Sequence, residues 1–352
     1  MEERMAFFTK GILLEQHKEP MLTRNVLVMR QEYEYFDCSF PDVPVEELSA
    51  EQIIEIARLA GIVDESDGLM LADKLEKANL GKMGTMVIDA VDDEPYVSSQ
   101  MCMVLHQPES LALGIRLAAK AANPGDIYIA VYKHIFDMNI NIPKSINDIR
   151  IERIGGLYPA EDRAYRYIPK GKNRLAVGAC AMVHLARAVE DSRKMTSSFI
   201  TVAGEAVANP RNVEVPIGTS AAEILELCGL AEEPEVIVMG GSMTGRAIFE
   251  PEEELINTTT RAVLAFTRSN RSYAYSCIGC GRCDHACPEK LSVSRIRLLT
   301  DCGKTDGIKK YDVNLCTGCG ACSYVCPARI DVAATVLKAK RIAAQGKKEG
   351  AK

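Results

Sequence analysis

The chain has 352 residues, 47% of them apolar, and a formal net charge of −6. That length suits two or three domains with ordinary globular cores, and the mild acidity gives no reason to expect a nucleic-acid partner. No window holds about 18 apolar residues in a row, and the start, MEERMAFFTKGILLEQ, is acidic with too short an apolar run for a secretory leader. The expectation is a cytoplasmic protein, peripheral on a membrane complex only through partner subunits.

In chain order, residues 1–45 read as an irregular N-terminal arm, with a short strand over Asn25–Arg30 and a loop over Tyr33–Pro44. Residues 46–195 alternate helix and strand, which predicts an α/β unit with a largely parallel sheet. Ser49-x-x-Gln52 is a capping box opening a helix with Ile53, Ile56, Ala57 and Ala60 on one face, and Gly61 ends it. The acidic stretch Asp64-Glu65-Ser66-Asp67-Gly68 follows, then a helix to Asn79. Thr85–Val91 and Asp126–Tyr132 read as strands, Pro108–Ala122 as a helix with proline inside its first turn, Ile149–Ile154 as a third strand and Leu175–Glu190 as a helix.

Residues 199–248 have a different texture. Strands Phe199–Ala203 and Val213–Val215, a helix Ala221–Cys228 capped by Ser220, and a strand Glu235–Met239 predict a small β-grasp module. Pro251 is expected to open a helix leading into a C-terminal helical domain, 251–345, closed by a helix that Asp331 caps; 346–352 is a tail.

That last domain carries the chemistry. Cys277-x2-Cys280-x2-Cys283-x3-Cys287-Pro288 is followed by Cys316-x2-Cys319-x2-Cys322-x3-Cys326-Pro327. C-x2-C-x2-C-x3-C-P in tandem is the bacterial pattern for two [4Fe–4S] clusters, whose fourth cysteines cross over. The predicted ligands are Cys277, Cys280, Cys283 and Cys326 for cluster I, and Cys316, Cys319, Cys322 and Cys287 for cluster II. Glycines at 279, 281, 318 and 320 let the backbone bend closely around the sulfurs. A single C-x2-C pair would also fit zinc, but two complete runs are not a zinc pattern. Of the thirteen cysteines, Cys38, Cys102, Cys180, Cys228 and Cys302 are left over. They are scattered and odd in number, so no disulfide framework is implied and reducing surroundings fit best. His285 lies inside the first run and reads as a solvent-facing residue; His17, His106, His134 and His184 form no ligand spacing. Arg282 and Lys309–Lys310 read either as ordinary solvated charge or as a surface favouring an acidic redox partner such as a ferredoxin or flavodoxin.

This order of parts resembles the RnfC proteins of the Rnf electron-transport complex and, more distantly, the flavin-carrying polypeptide of respiratory complex I. The cobalamin reductase of propanediol-utilising microcompartments and the RnfC-like partner of proline reductase share the plan. The resemblance runs from about Asn25 to Ala343. It rests on the cysteine runs, on Ile200–Thr219 (ITVAGEAVANPRNVEVPIGT), and on Met239–Gly245, which is similar to the family's Gly-Gly-Pro-Met-Met-Gly turn. It implies a flavin-domain-like α/β fold, a soluble-ligand-binding β-grasp module acting as scaffold, and a barrel-like N-terminal domain of which this chain keeps a remnant. It also implies FMN on a Gly-rich loop, G-x-G-G-A-G-F-P, whose bare N–H groups hold a phosphate. Here that position reads Asp64–Gly68, and its carboxylates are expected to repel a phosphate, so FMN and NAD are doubtful. Asp93-Glu94-Pro95-Tyr96 keeps part of the family's Glu-Cys-Glu-Pro-Tyr motif. The expected function is an iron–sulfur electron-relay subunit with no catalytic residue of its own. The alternatives are an FMN-dependent NADH or cobalamin oxidoreductase subunit and a structural scaffold of a redox complex.

Overall fold

The computed structural model describes residues 21–37, 44–81, 83–133, 140–156, 158–160, 173–267 and 274–348. His17, Cys38 and His134, and the ends of the predicted arm and tail, lie outside them. The described chain forms two compact units. The larger runs to Gly241 and includes Ala247–Thr267; the smaller is Ser242–Arg246 with the chain after Thr267.

The larger unit holds two sheets. The first has five strands in the order β4-β5-β3-β2-β6: β2 (Thr85–Ala90), β3 (Asp126–Tyr132), β4 (Ser145–Ile146), β5 (Ile149–Ile154) and β6 (Arg174–Gly178). All neighbours are parallel except the β4–β5 hairpin. Every residue of β2 is buried, as a central strand covered on both faces requires. Helices α1 (Ala50–Leu59), α2 (Leu71–Leu80), α3 (Met101–His106), α4 (Pro108–Ala122) and α5 (Ala179–Asp191) pack against one another and build the main core around Ile53, Leu75, Ile88, Leu111, Ile115 and Met182. The box at Ser49 forms as expected: Gln52 N–H donates to Ser49 Oγ at 3.2 Å, and the Gln52 side chain accepts from Ser49 N–H at 2.8 Å. Asn123, at φ +46°, closes α4 in the left-handed conformation.

The expected helix Leu175–Glu190 is two elements. Arg174–Gly178 is β6, parallel to β2, and only Ala179 onwards is helical. Gly178 ends the strand and serves as N-cap of α5. The apolar run on either side of it fits a buried strand as well as a buried helix, so periodicity alone does not separate them.

The second sheet has the order β1-β8-β7-β11-β9-β10, with β1 (Leu27–Val28), β7 (Ser197–Ala203), β8 (Arg211–Pro216), β9 (Val236–Met239), β10 (Arg246–Ile248) and β11 (Ala262–Phe266). Helix α6 (Ala221–Cys228) carries a second complete capping box, Ser220 with Glu223. The helix expected from Pro251 does not form. Residues 251–253 make a turn, and the short apolar run Ala262–Phe266 is a fully buried strand between β7 and β9. Buried polar bonds tie the two sheets together. Ser98 N–H donates to Thr201 Oγ1 at 3.0 Å, and Arg187 on α5 clamps Glu214 on β8 at 2.7 and 3.2 Å.

The smaller unit is helical: α7 (Arg282–Ala286), α8 (Val293–Asp301), two 3-10 segments (Thr305–Tyr311 and Val313–Leu315), α9 (Ala321–Tyr324) and α10 (Val332–Lys348). Its core of Leu291, Val293, Ile296, Ile308, Val313, Val332, Val336 and Ala339 is backed by the cysteines. Among the described residues no helix is long and apolar enough to cross a membrane.

Candidate functional site

The two cysteine runs fold as copies of one another. In each, a glycine two residues after the first cysteine and another two further on take φ near +70 to +80° (Gly279 +68°, Gly281 +70°, Gly318 +80°, Gly320 +76°). These left-handed turns swing the chain round and start a short helix, α7 or α9, that bears the third cysteine. At Gly320 there is a second reason for glycine: a Cβ would stand 2.6 Å from the Met243 carbonyl oxygen. After the fourth cysteine a residue again turns left-handed, Lys290 at +55° and Arg329 at +56°. A long helix follows, capped from inside the run. Asp284 accepts from Ser294 N–H at 2.7 Å; Ser323 Oγ accepts from Ala333 N–H at 2.8 Å. Asp331 caps α10 as expected, accepting from Ala334 N–H at 3.2 Å.

The fourth cysteine of each run lies beside the other run. Cys277, Cys280, Cys283 and Cys326 line one cavity of about 420 Å³, together with Arg282, Pro327 and Ile330; Cys287 is not in its wall. Cys287 stands with the other set. Burial first, with Cys319, Cys316 and Cys287 adding to it, lifts the Cys322 thiol to about 12. Cys316 is raised for the same reason, burial first, with Cys287 adding to it. Leu291 N–H points at Cys287 Sγ from 3.4 Å, the kind of bond that tunes a ligating sulfur. Among the described residues no group of three or more His, Cys, Asp or Glu side chains closes on a point as for a single metal ion. The first set surrounds a hollow instead, and soft thiols around such a hollow suit an iron–sulfur cubane. The first set opens outward, with Cys277 and Cys280 exposed; all four of the second are half-buried.

The other residues singled out from the sequence stand apart from these sets. His285 is exposed on α7. His106 Nε2 lies 2.9 Å from the Leu22 carbonyl, and His184 is buried on α5. Cys302 is exposed at the end of α8. Arg282, Lys309 and Lys310 are exposed.

The acidic stretch differs from its expected character. Asp64 and Glu65 are 0% and 7% exposed. They do not face outward to repel an incoming anion; they turn inward to the start of α5. Lys74 holds Asp64 at 2.5 Å and Asp67 at 2.7 Å. Asp92, just upstream of the partial motif, accepts from Gln100 and Met101 N–H at 3.0 and 2.8 Å and pairs with Arg261 at 2.8 Å. Tyr96 donates to Glu205 at 2.6 Å. These residues brace the fold around the acidic stretch. The inward turn of Asp64 and Glu65 is invisible in the sequence for the same reason as β6: the helix terminus they meet begins where that strand ends.

A five-strand α/β sheet, a second sheet and a helical unit bearing two cysteine runs define a class, an iron–sulfur protein with a mixed α/β unit. Comparison with known proteins gives the particulars. The SLBB domain family matches residues 199–247 and the 4Fe-4S dicluster domain family residues 276–330. The RnfC protein of the proton-translocating ferredoxin:NAD(+) oxidoreductase complex of Clostridium ljungdahlii is 27% identical over 272 residues, covering 72% of this chain and 59% of its own. Its counterpart in the ion-translocating oxidoreductase complex of Rhodobacter capsulatus is 27% identical over 300 residues, covering 77% and 56%. The counterpart in the Na(+)-translocating ferredoxin:NAD(+) oxidoreductase complex of Acetobacterium woodii is 26% identical over 263 residues, covering 69% and 59%. This chain is thus RnfC-like over most of its length, and it spans somewhat more than half the length of these relatives. In fold it is similar to a chain of NAD+-reducing [NiFe]-hydrogenase in the air-oxidized state, with a TM-score of 0.51 at 15% identity, covering 84% of this chain and 54% of that one. Two [4Fe–4S] clusters are the cofactors that the dicluster match supports.

Proposed function

We propose that this chain is an electron-relay subunit of an oxidoreductase complex. The observation that carries the reading is the placement of Cys326 beside the first run and of Cys287 beside the second, which supports two four-thiol sets, one open and one half-buried. Bound there, [4Fe–4S] clusters take up and release single electrons. Cys277, Cys280, Cys283 and Cys326 would hold cluster I, and Cys316, Cys319, Cys322 and Cys287 cluster II. The glycine turns bring the backbone close to the sulfurs, and the apolar core packs against cysteines of both sets.

The partners are other redox subunits, with an acidic ferredoxin, flavodoxin or flavoprotein at the open set. Arg282 lines that cavity and Arg295 and Arg297 border it, a charge pattern that raises the rate of encounter with an acidic surface. The protein works on the cytoplasmic side, reaching a membrane only through partner subunits. The α/β unit is a degenerate form of the complex I flavin-subunit fold, and the second sheet a β-grasp scaffold. Arg282→Glu should slow reduction by an acidic ferredoxin several-fold at low salt, with the difference closing as salt is raised. Equal rates at low salt would remove Arg282 from the docking surface.

A further inference from the structure

The start of helix α5 is an anion site, and the chain itself fills it. Gly178, the N-cap, has no side chain to offer. Its N–H donates to Asp64 Oδ1 and Oδ2 at 3.2 and 3.3 Å. Ala179 N–H donates to Gln100 Oε1 at 2.9 Å. Cys180 N–H donates to Glu65 Oε1 at 3.0 Å and Gln100 Oε1 at 3.2 Å. Ala181 N–H donates to Glu65 Oε2 at 3.1 Å. Gln100 Nε2 closes the ring on Glu65 Oε1 at 2.6 Å. Gln100 is 2% exposed, like its partners shut away from water. The fit is tight enough that a Cβ on Gly178 would come within 2.0 Å of Glu65 Oε1.

An ordinary N-cap is one side chain from the residue that starts the helix. Here three buried side chains from two remote segments converge on four N–H groups, and two of them are carboxylates. Together they carry about the charge of a phosphate monoester, −1.5 to −2. Lys74 supplies a cation to Asp64. Ser99, whose carbonyl oxygen accepts from the Cys180 thiol at 3.6 Å, buries a hydroxyl that has no hydrogen-bond partner among the described residues. This is the arrangement of a phosphate at a helix N-terminus, with protein oxygens in place of phosphate oxygens.

The residues therefore do not fit the FMN that the fold's resemblance implies. We infer that Asp64 and Glu65 are a built-in substitute for a ligand phosphate, which closes this site in the native chain and leaves a phosphate-monoester site latent beneath it. The inference concerns the α/β unit alone and does not depend on the cysteine assignments.

The test is a titration of the full chain, purified without oxygen, with FMN, riboflavin and inorganic phosphate, followed by flavin fluorescence and thermal unfolding. Wild type should bind no FMN at about 100 µM, and phosphate at constant ionic strength should leave its Tm unmoved. The Asp64→Gly/Glu65→Gly double variant should melt lower and regain at least ~4 °C with phosphate, an effect on the scale of 1 kcal/mol in a domain of this size. It should also bind FMN in preference to riboflavin. Stoichiometric FMN on wild type would overturn the inference, as would equal phosphate responses, or none, in both proteins. Should the double variant fail to fold, Glu65→Gly alone takes its place under the same criteria, and the wild-type FMN titration still decides whether the site is closed.

Discussion

At the scale of single residues, the cysteines give the sharpest expectations. If the fourth cysteines cross over, Cys326→Ser should cost the open cluster formed by the first run and leave the second. Cys287→Ser should do the reverse. Cys280→Ser and Cys319→Ser would each remove one cluster, so each variant should hold about half the wild-type iron. Pairing these variants by their electron paramagnetic resonance signals reads the crossover directly: Cys326→Ser should match Cys280→Ser. A match to Cys319→Ser instead would mean that each run closes its own cluster. His184 provides a pH signature. Burial holds its imidazole down at about 4, helped by Arg187 and opposed by Glu214. Between about pH 6.5 and 4 the unfolded chain binds a proton there that the folded chain does not. The stability due to His184 is thus full above 6.5 and lost as pH falls towards 4, by about 3 kcal/mol over the whole window. His184→Leu should flatten that limb in urea unfolding measured from pH 7 to 4. Glu65 runs the other way. Burial and Asp64 lift it to about 7, so its contribution falls as pH rises from 4.5 through 7. An unchanged slope in His184→Leu would show that His184 is not the titrating group.

At the scale of elements, the contact between α4 and α5 is set by one missing side chain. A Cβ at Gly114 would lie 1.9 Å from the Met182 carbonyl oxygen. Backbone has to move to make room, so Gly114→Ala should cost at least about 2 kcal/mol despite alanine's better helix propensity. A gain in stability would show that the helices are not in close contact. Elements with strong local chemistry are legible from sequence: the box at Ser49, the cap at Ser220, the proline start of α4, and the close glycine bends of the cysteine runs. What is not legible depends on distant partners. Ala262–Phe266 and Arg174–Gly178 are short apolar runs that become strands only because β7, β9 and β2 lie ready to pair with them. The same non-locality hides the closed start of α5. The acidity of Asp64–Asp67 is plain, but its inward turn depends on N–H groups more than a hundred residues away.

At the scale of the whole molecule, the two units pose one question. The smaller has the thiols for two clusters; the larger has a mostly parallel α/β sheet beside a helix terminus filled by the chain's own carboxylates. One composition decides whether the chain is a relay without a flavin. Protein purified without oxygen is assayed for iron, acid-labile sulfide and acid-released flavin. A relay should hold about eight irons and eight sulfides per chain and no FMN. Near one FMN per chain would contradict it and put a flavin oxidoreductase in its place.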